Sequence, residues 1–218
     1  MIIKAAICDL DGTLLNTLDD IAESANQVLL NHGYPKIVSE KYKELIGKGA
    51  KNLILCITPE EIAEPEIDCL VSEFKDLYSR RLCEKTVKYD GVDSLLDWFD
   101  ELGILYAVLS NKPHHLTSQI ISHYFPDRKF KAVIGQQKDA PMKPNPECVK
   151  GILECLQCEP GEVVFIGDSG LDMETANNAK MLGVGVLWGY RDQEELILHG
   201  AKRLVTNPLE ILDVIDRT

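Results

Sequence analysis

Residues 2–8 form an almost wholly apolar run that stops at Asp9-Leu10-Asp11-Gly12-Thr13. No other feature constrains the fold as strongly. A short apolar run bounded by polar residues reads as a strand buried on both faces, the habit of strands in a parallel sheet. In open sheets of that kind, ligands bind just beyond the carboxyl ends of the strands. Asp9 and Asp11 are two residues apart, so an extended backbone sends both side chains the same way. Two like charges about 4 Å apart repel by about 4 kcal/mol at an effective dielectric of about 20. A cation, a shared proton or a bound substrate must offset that repulsion. Gly12 lets the chain turn sharply beside a ligand.

The pattern downstream changes once. Leu18, Ile21, Ala22, Ala25, Val28 and Leu29 recur at helical spacing. Asn16 or Thr17 is placed to cap that helix, and Asp19 and Asp20 sit where its dipole favours acid. No strand pattern follows until about residue 84. Helices are expected over 39–46, over 51–57, from the Thr58-Pro59-Glu60-Glu61 start, and over 66–82. From residue 93 onward, helical patterns alternate with short apolar strands expected at 104–109, 130–134, 163–166, 184–187 and 204–205. That alternation predicts an α/β fold, a Rossmann-like parallel sheet core covered on both faces. The expected division is a core from residues 1–15 and 85–218, with an all-helical cap domain over 16–84 inserted after the first strand.

Composition narrows the partners. The 218 residues carry a net charge of -12 with 45% hydrophobic and 27% charged residues. An acidic chain lacks the basic face that nucleic acid or an anionic membrane surface requires, so neither is an expected partner. No apolar run approaches the roughly 20 residues of a membrane span, and the first residues lack the pattern of a signal peptide. The seven cysteines are odd in number and scattered through apolar positions, which suits reduced thiols and a cytoplasmic location. The lone Cys155-Leu156-Gln157-Cys158 has no second half-site for zinc or redox work. Nothing in the sequence fixes an oligomeric state.

The chemistry gathers at expected strand and loop ends. Asp9 and Asp11 are joined there by Ser110-Asn111, by Lys143 in a proline-rich loop, and by Asp168 and Asp172. Several carboxylates, an ammonium, a hydroxyl and backbone N–H groups on one rim suit a hard divalent cation together with a phosphate. Mg²⁺ prefers carboxylate and carbonyl oxygens, and phosphate oxygens prefer the cation and N–H donors. Lys48, between Gly47 and Gly49 in the helical block, is a candidate for meeting a charged group of the substrate.

Asp9-x-Asp11-Gly12-Thr13, the strand-end Ser110, Lys143 in Lys-Pro-Asn-Pro and Gly167-Asp168-Ser169-x-x-Asp172 resemble the four motifs of the haloacid dehalogenase superfamily, in the right order. Within it, the chain is similar to the phosphoglycolate phosphatase-like hydrolases, as is the later run Trp188-Gly189-Tyr190-Arg191. The resemblance implies a Mg²⁺-dependent phosphatase acting on a small phosphorylated metabolite, with 2-phosphoglycolate the expected substrate. It implies that Asp9 is the nucleophile and Asp11 the acid and base. Ser110 and Lys143 would bind phosphate, with Asn111 and Thr13 supporting them. Asp9, Asp11 through its carbonyl, Asp168 and Asp172 would surround the metal, Asp172 through water or by orienting Lys143. An Asp at position 11 points to phosphoryl transfer rather than dehalogenation. A phosphomutase of the β-phosphoglucomutase type, a sugar phosphatase, a pyrophosphatase and a nucleotidase share these motifs. A phospho-aspartate switch of the receiver type shares the chemistry but not the length or the helical insert. The spacing leaves room for a cap only between Thr13 and Ser110. Such a cap would close over the site and exclude water.

Overall fold

The computed structural model describes residues 2–216. In chain order the elements are β1 (Ala5–Cys8), β2 (Leu15–Asn16), α1 (Leu18–Asn31), α2 (Ser39–Leu45), α3 (Ala50–Ile57), α4 (Glu64–Arg81), β3 (Val87–Lys88), α5 (Val92–Leu102), β4 (Leu105–Pro113), α6 (His114–Tyr124), β5 (Val133–Gln136), α7 (Lys150–Leu156), β6 (Val163–Gly167), α8 (Gly170–Asn178), β7 (Leu182–Val186), α9 (Gln193–Leu198), β8 (Arg203–Val205) and α10 (Glu210–Asp216).

Six strands form one sheet in the order β5-β4-β1-β6-β7-β8, with every pairing parallel. The expected α/β class is therefore the observed one. β1 lies centrally between β4 and β6, and successive connections run to opposite sides of it. That reversal is the switch point beyond which a ligand crevice opens. Successive residues of β1 feed two apolar clusters: Ala6 and Cys8 join one, Ala5 and Ile7 the other. The alternation is why all four residues had to be apolar.

β2 and β3 pair antiparallel as a two-residue ribbon. The chain leaves the sheet layer through this ribbon, builds α1–α4 and returns. Two-residue strands carry too little pattern to be seen in sequence. Asp20, buried in the first turn of α1, ties the return: its carboxylate accepts from the backbone N–H groups of Lys85 and Thr86 and from the Thr86 hydroxyl. The helices pack through Leu53, Ile54, Leu70 and Phe74 into the same apolar cluster that receives Ala6 and Cys8.

Several local expectations are corrected. No helix starts at Thr58-Pro59; that stretch is a turn closed by Ile62 N–H on the Pro59 carbonyl, and the helix begins at Glu64 with Pro65 in its first turn. Thr17 occupies the N-cap position of α1 but makes no side-chain cap, because its hydroxyl donates to Asp11 instead. β4 runs on through Ser110, Asn111 and Lys112, past the residue at which its apolar pattern ends.

Candidate active site

Asp9 follows β1 directly, and its N–H donates to the Ile166 carbonyl of β6 at 2.9 Å. Its side chain faces Lys143, whose Nζ lies 2.7 Å from Asp9 Oδ1 and 2.6 Å from Asp172 Oδ1. The approach to Asp9 is too poorly aligned for a hydrogen bond, so Oδ1 is a buried oxygen without one. Burial, reinforced by Asp172 and Asp168, raises the Asp9 carboxyl well above the ordinary range, against the pull of Lys143. Burial, then Asp172, pushes Asp168 up to about 7. Lys143 is held protonated: burial works against its charge, but Asp172 and Asp9 more than offset it. Asp9, Asp168 and Asp172 are all buried and each offers an oxygen within 4.8 Å of the others. Three crowded carboxylates with one orphaned oxygen fit a hard divalent cation, whose oxygen preference matches this donor set.

Each acid has its own support. Thr13 Oγ1 donates to Asp168 Oδ1 at 3.2 Å, and Tyr190 N–H donates to Oδ2 at 2.8 Å. Gly12 has φ +88, and a Cβ there would stand 2.2 Å from Asp168 Oδ2, so glycine is required on two counts. Asp172 caps α8: its Oδ2 accepts from the Ser169 N–H and hydroxyl, while Oδ1 meets Lys143. Both its oxygens are engaged.

Asn111 is committed to the scaffold. Its Oδ1 accepts from the Lys143 N–H, and its Nδ2 donates to the carbonyls of Lys143 and Gly47. It thus fixes the Lys143 loop against the helical block. Ser110 is buried at the end of the apolar part of β4, where its Oγ accepts from Lys112 N–H. Asp9, Asp11, Ser110, Asn111 and Lys143 line one cavity. The helical block closes the opposite wall with Ile21, Ile46, Ala50, Leu53 and Phe74. Lys48 is not on that wall. It lines a neighbouring cleft with Glu44, Glu174 and Arg191.

Four residues that sequence reasoning did not place in the site stand beside Asp11. Lys112 Nζ lies 2.7 Å from Asp11 Oδ1 and 2.6 Å from Tyr78 Oη. Thr17 Oγ1 donates to the same Oδ1 at 2.6 Å, and the Tyr190 hydroxyl accepts from Thr17 N–H. A lysine prolonging an apolar strand was the available signal for Lys112. Tyr78 gave none, since it reads as packing, and Tyr190 reads as packing near the rim of the site.

Known proteins resemble this chain along most of its length. The model of the haloacid dehalogenase-like hydrolase family matches residues 6–186. N-acetylmuramic acid 6-phosphate phosphatase of Pseudomonas aeruginosa is 29% identical over 220 residues, covering 100% of this chain and 96% of that protein. Phosphoglycolate phosphatase of Rhodobacter capsulatus is 33% identical over 201 residues, covering 91% of each chain. A crystal structure from Lactobacillus delbrueckii subsp. bulgaricus superposes with a TM-score of 0.91 at 26% identity, covering 99% of both chains.

Proposed function

The chain belongs to the haloacid dehalogenase-like hydrolases, and from that premise we propose a Mg²⁺-dependent phosphatase that hydrolyses small phosphate monoesters through an aspartyl-phosphate on Asp9. The observation that carries the reading is Asp9 itself: a buried carboxylate at the end of the central strand, ion-paired through Oδ1 with Lys143 and lining the cavity. The ion pair holds the Asp9 carboxylate by Oδ1 and leaves Oδ2 to attack phosphorus.

In the first step an Asp9 oxygen bonds to phosphorus as the ester P–O bond breaks, and Asp11 gives its proton to the leaving oxygen. In the second, water bonds to phosphorus, Asp11 takes the water's proton, and the bond from phosphorus to Asp9 breaks. Ser110 and Lys143 hold the phosphate oxygens while charge moves between them. Asp9, Asp168 and the Asp11 carbonyl would hold Mg²⁺, which when bound offsets the charge of the phosphate and the crowded acids. Asp172, with both oxygens engaged, holds Lys143 in place. The helical block, over residues 16–84, serves as the cap that keeps bulk water from the site.

2-Phosphoglycolate is the substrate we name, supported by the relatives that carry that name. A second reading, an acylated sugar 6-phosphate, is favoured by the apolar wall of the cavity, which a two-carbon carboxylate leaves unused. It is also the kind of substrate in the name of the relative that matches all of this chain. Phosphate release from a panel holding both esters, with and without Mg²⁺, tests the proposal. Mg²⁺-dependent release that Asp9→Asn abolishes is the expected result. Release that survives either EDTA or Asp9→Asn contradicts it.

A further inference from the structure

We propose that Lys112 is a positioning residue for Asp11, aimed by Tyr78 of the helical block, and that it selects the Asp11 oxygen that meets the leaving group. The proposal rests on the phosphatase reading above, in which Asp11 is the acid and base.

The geometry is specific. The Lys112 ammonium is 3% exposed and lies 2.7 Å from Asp11 Oδ1. Thr17 Oγ1 donates to that same oxygen at 2.6 Å. Two donors therefore fix Oδ1 from different elements, one from β4 and one from the start of α1. Among the described residues no hydrogen bond reaches Asp11 Oδ2, and Asp11 lines the cavity. A carboxylate pinned by one oxygen presents the other in a fixed direction, which proton transfer to a bound leaving group requires.

Fold stability does not explain a lysine here. An ammonium buried late in a strand costs desolvation that an apolar residue would avoid. Tyr78 supplies the reason for its precision. Its hydroxyl, 2.6 Å from Lys112 Nζ, accepts a second ammonium N–H and sets the angle of the first. Tyr78 belongs to α4, whereas Lys112 and Asp11 belong to the sheet layer. The ammonium is thus fully oriented only while α4 lies over the site, so closure of the helical block and positioning of Asp11 are one event.

Leaving-group dependence separates this role from a general structural one. Phenyl phosphate and p-nitrophenyl phosphate are of similar size, but phenoxide needs protonation far more than p-nitrophenoxide does. With Mg²⁺ present, Lys112→Met should lower kcat/KM for phenyl phosphate by about 100-fold and for p-nitrophenyl phosphate by less than about threefold. Tyr78→Phe removes one oxygen, and should show the same asymmetry at about tenfold for phenyl phosphate. It keeps the question open to test if Lys112→Met fails to fold, as judged by its melting curve. Equal losses on the two esters, or no loss on either, would overturn the proposal. Asp11→Asn separates the two levels of the argument. If it shows no leaving-group dependence, the acid role of Asp11 fails; if it shows the dependence while Lys112→Met and Tyr78→Phe do not, the positioning role alone fails.

Discussion

Asp168→Asn should stabilise the metal-free protein at pH 8 while removing its response to Mg²⁺. Burial and the neighbouring Asp172 push the Asp168 carboxyl from 3.8 up to about 7. That displacement corresponds to about 4 kcal/mol. The sign follows from proton binding. Between about pH 4 and pH 7 the folded protein holds a proton at Asp168 that the unfolded chain has released, so stability falls as pH rises through this window. At pH 8 the group is ionised in both states and the whole penalty is present; at pH 4 and below it is absent. Asparagine carries no such penalty and keeps its neighbours satisfied. Its amide oxygen can accept from Tyr190 N–H, and its N–H can donate to the Thr13 hydroxyl, the two groups that hold Asp168. Allowing for imperfect replacement of these bonds, the gain is about 2–4 kcal/mol, or about 5–10 °C in Tm for a chain of this size. Scanning calorimetry in EDTA at pH 8 and pH 5 measures it. The variant should melt higher at pH 8, the gap should shrink towards pH 5, and added Mg²⁺ should raise Tm for the parent alone. A gap of equal size at both pH values, or a lower Tm at pH 8, would refute the electrostatic argument.

Two further substitutions probe the supports. In Gly189→Ala the new Cβ would lie 2.2 Å from the Asp168 Cβ and 2.5 Å from the Gly12 carbonyl. Crowding by the Asp168 side chain on one side and a main-chain oxygen on the other should cost about 1–3 kcal/mol and weaken Mg²⁺ activation, read by urea unfolding and by metal titration of activity. Asp20→Ala leaves the Lys85 and Thr86 N–H groups without their acceptor, a loss of about 3 kcal/mol; an unchanged urea midpoint would show that the ribbon return does not depend on this carboxylate.

How far the sequence revealed this molecule depends on the range of the forces involved. The apolar run of β1 and the alternation of strands and helices after it are local patterns, and they led to the parallel sheet. The acids Asp9, Asp11, Asp168 and Asp172 stood out because each ends or follows a strand, where side chains of distant segments must converge. What stayed hidden was set by tertiary contact. Thr17 reads as a helix cap, yet its hydroxyl turns to Asp11 because that acid lies within reach only in the folded chain. Asn111 reads as a support for the phosphate groups, but that it does so through the main chain of Lys143 and Gly47 is set by the fold. Lys48 falls between two glycines that border the cavity, but it lines the adjacent cleft. The apolar pattern of β4 ends before Lys112, so only the packing of α4 over the strand reveals that this lysine is buried against Tyr78.

The central claim is that phosphorus is attacked first by Asp9 and only then by water. The stereochemical course at phosphorus reads this directly, with a thiophosphate ester made chiral by two oxygen isotopes and hydrolysed in water carrying the third, in the presence of Mg²⁺. Two in-line displacements predict net retention of configuration. Net inversion would mean a single attack by water, and would remove Asp9 from the role of nucleophile.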